Sequence, residues 1–324
     1  MNGEALETPG APPPAPGPGA CPWSFDWFRA PGERRLRYGR VTVAAPRGTV
    51  VLFPGRCEYL RKYDELASEW RDRGFQVFAL EWYGQGLSDR PLHNRHKCHV
   101  SDFTGHDQDF RAWDQAVVQP LAVGPAVLFG HSMGGLIGLG VLATTPARFA
   151  AAVLTAPMVE IATRPWPLPL ARWLARAATA LGYGEAYAFG QGDYDAAVDA
   201  VFAGNPVTGD AERFRRIHDG YRINPRLCVG GVTFGWLAAS FRAQAAVARP
   251  ERLRAIATPV LLLIAGQDRL TPPAAQRRLG RRLPAAVIRE DAAARHDLMA
   301  EEDPVRRRVW LEIDRFLSEI IRTH

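Results

Sequence analysis

Ala126-Val127-Leu128-Phe129-Gly130-His131-Ser132-Met133-Gly134-Gly135-Leu136-Ile137-Gly138-Leu139 is the stretch from which the fold follows. An apolar, strand-like run ends in a serine flanked by glycines, and an apolar helical pattern begins without a spacer. A strand that gives way at once to a helix needs a sharp reversal, and the serine at its apex takes a strained backbone conformation. Gly130 and Gly134 remove side chains that would collide there. The hydroxyl then projects above the strand beside a helix N-terminus, whose free amides favour negative charge. Ser132 is therefore the candidate nucleophile. The Met133 N–H, one residue on, is the first candidate oxyanion donor, and His131 is expected to point away in a structural role.

Outward from this turn, short β-rich runs alternate with helical patterns. Strands are expected at Arg40–Ala44, Thr49–Phe53, Phe75–Leu80, Ala126–Phe129, Ala151–Thr155, Val260–Ala265 and Ala285–Arg289. Helices are expected near Lys62–Arg73, Asp107–Val118, Met133–Ala143, Pro273–Arg282 and Pro304–Ile321. Continuously apolar runs such as Val260-Leu261-Leu262-Leu263-Ile264 suit parallel strands covered on both faces. The alternation predicts a three-layer α/β fold with a mostly parallel central sheet. Between Met158 and Ala246 no strand pattern stands out, while amphipathic helices and aromatics abound. The expected organisation is a disordered Pro/Gly/Ala-rich tail at 1–22, a core formed by 23–157 and 247–324, and a helical cap at 158–246 over the carboxyl ends of the strands, where ligands of such sheets bind.

A serine nucleophile needs a base, and the base needs an acid to orient it. On a strand–turn–helix nucleophile of this kind the chain order is serine, acid, histidine. Asp268 follows Val260–Ala265 directly and is the leading acid, with Glu160, after Ala151–Thr155, as the alternative. His296 lies beyond the last strand, and the only later histidine, His324, ends the chain. The loop Pro54-Gly55-Arg56-Cys57 follows the strand Thr49–Phe53, and the Arg56 N–H is the candidate second oxyanion donor.

The chain has 324 residues, 47% of them hydrophobic, which is ample material for a large core. Its net charge of +6 comes almost wholly from arginine, with Lys62 and Lys97 the only lysines. No arginine-rich run interleaved with aromatics suggests a nucleic-acid groove, so the charge implies only a mild bias toward anionic surfaces. Cys21, Cys57, Cys98 and Cys228 have no paired spacing, and neither a disulfide framework nor a CxxC centre is expected. There is no secretory pattern at the N-terminus and no membrane-length apolar run, so the expectation is a cytoplasmic protein. The segment His93-Asn94-Arg95-His96-Lys97-Cys98-His99 lacks regular ligand spacing, and no metal is expected.

Several motifs occur together and in order: Pro54-Gly55-Arg56, Tyr59, Lys62-Tyr63, Gly84-Gln85-Gly86-Leu87-Ser88, Gly130-His131-Ser132-Met133-Gly134-Gly135, Gly266-Gln267-Asp268 and Arg295-His296. With Asn205-Pro206-Val207-Thr208 and the segment from Gly230 to Leu237, they resemble the lysophospholipase L2 and monoacylglycerol-lipase-like branch of the α/β-hydrolases, also labelled serine aminopeptidase S33-like. The likeness spans about residues 30–321. It implies the α/β-hydrolase fold with a helical cap insertion, a Ser132–His296–Asp268 triad, no cofactor, and a small-molecule or lipid acyl ester as substrate. It implies no nucleic acid and no obligate protein partner, with transient contact at a membrane surface, peripheral to the inner membrane. Trp166, Phe234 and Trp236 are the candidate substrate-binding residues of the cap, against the plainer reading that such aromatics only pack its helices. Arg213, Arg215, Arg216 and Arg222 are weighed between a phosphate head-group site and a solvated face. Where the family segment Asp-x-Arg-Gly-x-Gly-x-Ser has aspartate and arginine, this chain has Glu81 and Tyr83, positions expected to be structural. Peptide hydrolysis of the aminopeptidase type, acyl transfer, and non-catalytic binding on the same scaffold remain alternatives.

Overall fold

In the run Val50-Val51-Leu52-Phe53 every side chain is buried, so this strand has no solvent face. The computed structural model describes residues 23–163 and 165–321, and the expected tail at 1–22 lies outside the described residues. Eight strands form one sheet: β1 (Ser24–Arg29), β2 (Arg35–Val41), β3 (Gly48–Phe53), β4 (Phe75–Leu80), β5 (Ala126–His131), β6 (Ala151–Thr155), β7 (Val260–Ala265) and β8 (Ala286–Asp291). Their order is β1-β2-β4-β3-β5-β6-β7-β8, antiparallel at β1–β2 and β2–β4 and parallel from β4 onward. This is the α/β-hydrolase fold expected from the sequence.

The longer helices are α1 (Asp64–Asp72), α2 (Thr104–Trp113), α3 (Met133–Leu142), α4 (Leu168–Ala178), α5 (Ala211–Ile223), α6 (Phe234–Val247), α7 (Pro273–Gly280) and α8 (Asp303–Ile321). Side chains that alternate along the strands feed two separate cores. Val51, Phe53, Leu128, Leu154 and Leu262 join residues of α2, α3 and α6 on one face. Val50, Leu52, Val127, Phe129 and Leu261 join α1 and α8 on the other, where the Trp70 and Trp310 rings meet edge to face at 5.0 Å. Between Thr155 and Val260 the described residues form no sheet strand, only isolated bridges such as Cys98 to Val232 and Tyr187 to Thr233. α6 closes that stretch with Trp236 and Ala239 in the same buried cluster as α3.

Three features of the sequence reading need correction. The first edge strand, β1, was not anticipated, because its pattern is mostly exposed. Pairing with β2 makes it a strand, with Phe28 opposite Leu36. β2 covers Arg35–Val41 rather than Arg40–Ala44, since its register is set by Val41 facing Val77 of β4. The expected helix Asp107–Val118 begins earlier, at Thr104, and its end, Asp114–Val118, widens into a π-helical turn. There Arg148 forks onto both oxygens of the buried Asp114.

The parallel register sets Phe53 beside Gly130 and His131 beside Thr155, so the ends of β3, β5 and β6 finish together. α3 then leaves β5 so tightly that a Cβ on Gly134 would lie 2.0 Å from the Phe53 carbonyl oxygen. Gly134→Ala is therefore expected to cost at least about 3 kcal/mol in urea unfolding or to prevent folding. Gly140→Ala, on the same helix with nothing near the added methyl, should gain up to about 1 kcal/mol from helix propensity.

Candidate active site

The serine at the apex of the β5–α3 reversal has φ 50° and ψ −114°, a left-handed conformation that a residue with a side chain adopts only under constraint. Three backbone bonds hold it: Ser132 N–H donates to the Thr155 carbonyl at 3.0 Å, and the Ser132 carbonyl accepts from Leu136 and Met158. Its hydroxyl lies 2.9 Å from His296 Nε2, and His296 Nδ1 lies 2.7 Å from Asp268 Oδ2. The expected nucleophile, base and acid thus stand in one hydrogen-bonded line, all three side chains buried. Glu160, the alternative acid, is instead paired with Arg278 at 3.3 Å.

Asp268 is held from several sides. Its Oδ1 accepts from the amides of Leu270 and Thr271, and its Oδ2 accepts from the Thr271 hydroxyl at 2.5 Å as well as facing His296. Burial alone would raise its carboxyl pKa, but His296 and the Thr271 donors outweigh burial and hold it below the usual value. Thr271 was not foreseen. The signal was an aspartate followed three residues later by threonine, a pattern that closes a local turn on the carboxylate.

The residues expected to supply oxyanion donors come to the same place. Met133 is the first residue of α3, with its side chain in the core, and Arg56 lines the same cavity as Ser132. The Arg56 guanidinium donates to the Gly230 carbonyl at 3.3 Å and lies 5.8 Å from the Trp236 ring. His131 behaves as expected, directed to the Thr155 hydroxyl at 3.0 Å rather than to the serine. Behind it, sequence reasoning missed a buried group: Glu58, Lys62, Tyr63 and Asp297. The Lys62 ammonium bridges Glu58 and Asp297, the latter at 2.6 Å, and Glu58 also accepts from the Tyr63 hydroxyl and the Gly55 N–H. Burial would raise the Asp297 carboxyl, but the adjacent Lys62 and its other neighbours hold it far below its ordinary value.

A cavity of about 830 Å³ opens from Ser132 and His296, within the range of small-molecule sites. Met158, Ile161, Phe189 and Phe241 line it, together with the three expected aromatics Trp166, Phe234 and Trp236. Phe234 and Trp236 are buried, whereas Trp166 is 45% exposed at its rim. The four arginines weighed for a phosphate head group face carboxylates: Arg213 pairs with Glu65, Asp210 and Asp303, Arg215 with Glu212 and Asp219, Arg216 with Glu65, and Arg222 with Asp219. Side chains of the His93–His99 stretch go to separate partners, His96 to the Tyr194 amide and His99 to the Thr233 hydroxyl. The motif Asn205-Pro206-Val207-Thr208 braces the histidine loop, its carbonyls accepting from the His296 and Asp297 amides and the Arg295 guanidinium. Glu81 is structural as expected: its carboxylate accepts from the Leu60 and Leu87 amides beneath Gly86. Tyr83 carries the Arg34 guanidinium 5.1 Å over its ring.

Residues 44–303 match the family described as serine aminopeptidase S33. Lysophospholipase L2 of Escherichia coli (strain K12) is 35% identical over 236 residues, 72% of this chain and 68% of the relative. Monoacylglycerol lipase of Mycolicibacterium smegmatis is 27% identical over 257 residues, 78% of this chain and 81% of the relative. A soluble variant of monoglyceride lipase from Saccharomyces cerevisiae, solved with a substrate analog, superposes with a TM-score of 0.71 at 18% identity, covering 92% of this chain and 94% of that one.

The depressed Asp297 and Asp268 carboxyls set the sign of an acid effect. A carboxyl whose folded pKa lies below its unfolded value contributes stability above the unfolded pKa, about 4, that is lost as pH falls toward the folded value. The melting temperature should therefore drop between about pH 4 and pH 2. Asp297→Asn should flatten that limb in a scan of melting temperature against pH.

Proposed function

Because the chain belongs to the serine aminopeptidase S33 family of α/β-hydrolases, we propose that it is a carboxylic ester hydrolase acting on lipid-like substrates, lysophospholipids or monoacylglycerols. The observation that carries this reading is the line Ser132–His296–Asp268 opening directly onto a deep, largely apolar cavity. In this scheme His296 takes the Ser132 proton as the oxygen attacks the ester carbonyl, and Asp268 stabilises the imidazolium. The amides of Arg56 and Met133 receive the oxyanion. The imidazolium then protonates the departing alcohol, and a water activated by His296 releases the fatty acid from the serine.

Residues 158–246 serve as the cap in this reading, with 23–157 and 247–324 as the catalytic core. The acyl chain lies along Trp166, Phe234 and Trp236. The aminopeptidase alternative has less support, because the acidic side chains at the cavity are committed locally: Asp193 accepts from Asn94 and Tyr187, and Asp195 caps the helix Ala196–Asp199. The steps need no metal or organic cofactor.

Leu170 and Trp173, three residues apart on one face of α4, are 39% and 63% exposed, and Arg172 and Arg176 lie on the same helix. No described helix is long and apolar enough to cross a membrane. We read α4 as a transient contact with an anionic lipid surface, the cytoplasmic face of the inner membrane.

Ser132→Ala should abolish fluorophosphonate labelling and ester hydrolysis, and persistence of either would remove the proposal. With matched acyl chains, phosphocholine and glycerol head groups should be cleaved at rates within about threefold, since Arg213, Arg215, Arg216 and Arg222 already face carboxylates. The double variant Leu170→Ser/Trp173→Ser should weaken sedimentation with phosphatidylglycerol vesicles about tenfold or more. Its turnover of a short soluble ester should be unchanged.

A further inference from the structure

The buried Glu58–Lys62–Asp297 group touches all three segments that the proposed chemistry uses. Glu58 lies two residues after Arg56, and its carboxylate holds the Gly55 N–H, fixing the loop that presents the Arg56 amide. Asp297 directly follows His296, and its backbone N–H is anchored on the Val207 carbonyl at 2.9 Å. His131 directly precedes Ser132, and its Nε2 lies 3.7 Å from Glu58 Oε1. The Lys62 ammonium sits between the two carboxylates, with its side chain only 7% exposed.

One oxygen each from Glu58 and Asp297 and one ring nitrogen of His131 lie within 4.8 Å of one another, a spacing a divalent cation would also suit. Here the compact ammonium supplies that positive charge itself. Two carboxylates this close repel strongly in a poorly solvated interior unless a cation lies between them. A lysine, whose three donors radiate from one atom, fits between two carboxylates that approach from opposite sides.

We propose that Lys62 is a positioning residue for ester hydrolysis, drawing the oxyanion loop and the histidine loop together through Glu58 and Asp297. Lys62 borders the cavity at Ser132, but its ammonium is committed to Glu58 and Asp297. The inference rests on the ester-hydrolase reading, and wild-type turnover tests that reading separately.

Lys62→Met alone leaves two buried carboxylates without a cation and is expected to fold poorly. Lys62→Met/Asp297→Asn removes the excess charge. It leaves Glu58 its Tyr63 and Gly55 donors and lets the asparagine oxygen keep the Met299 amide. The measurement is kcat and KM on a short soluble ester, beside the melting temperature, for this double variant, Glu58→Gln and wild type. The expected result is a double variant that melts within a few degrees of wild type, with kcat about 100-fold lower and KM within threefold, the signature of a misplaced catalytic group. Glu58→Gln, which keeps the shape and the Gly55 acceptor but loses the charge facing Lys62, should keep between about a tenth and a third of wild-type kcat. A folded double variant with kcat within threefold of wild type would overturn the proposal. So would a loss expressed only in KM, or a double variant that fails to fold while Glu58→Gln has wild-type kcat. If wild type itself turns over no ester, the hydrolase reading fails and the proposal goes with it.

Discussion

Gly134 packs directly against the backbone at Phe53–Pro54, and the site depends on that contact. No side chain fits there, so α3 can leave β5 at a steep angle and the β3 loop can lie against its first turn. That angle obliges Ser132 to adopt a left-handed conformation costing about 1–3 kcal/mol. The cost is offset locally, because α3 buries Leu136, Leu139 and Leu142 against the sheet and the backbone of Ser132 is bonded to Thr155, Leu136 and Met158. The strain is thus held by a buried helix and its backbone bonds, and the hydroxyl lies against His296.

Around this turn the interior carries more charge than an ordinary core, and each charge is answered. Glu81 spends its carboxylate on two loop amides, Asp268 on two amides, a hydroxyl and the imidazole, and Asp114 on Arg148. Buried ions of this kind add little net stability over apolar packing, yet removing one partner leaves the other exposed to the full desolvation cost. They therefore fix loop geometry more than they stabilise the fold. Arg213 extends the same principle outward, joining α5 to Glu65 of α1 and to Asp303 at the start of α8.

The catalytic motifs that are local in the chain were legible in advance. The strand, turn and helix at Ser132, the acid directly after β7 and the histidine after β8 are each written within a few residues, and chain order does the rest. β1 was not legible, because its side chains are half exposed and only pairing with β2 makes it a strand. Lys62 and Asp297 were not legible as partners, since they lie more than two hundred residues apart and meet only when β3 and β8 end on the same side of the sheet. One trace was present: Lys62 is one of only two lysines in a chain whose other cations are all arginine. Glu58 acts through the Gly55 amide, which no residue pattern advertises, and the one trace of Thr271 was its place three residues after Asp268.

The outermost strands, β1 and β8, bear on the protein's behaviour in concentrated solution. An unpaired strand edge invites a second copy to extend the sheet. Here β1 carries Asp26 and Arg29, and its exposed Trp27 lies under the Arg35 guanidinium at 4.5 Å. β8 ends in Arg289, Glu290 and Asp291, each already tied to an oppositely charged residue of a flanking helix. A neighbour docking on either edge would have to desolvate or break those charges, so colloidal self-association by sheet extension is opposed at both ends of the sheet.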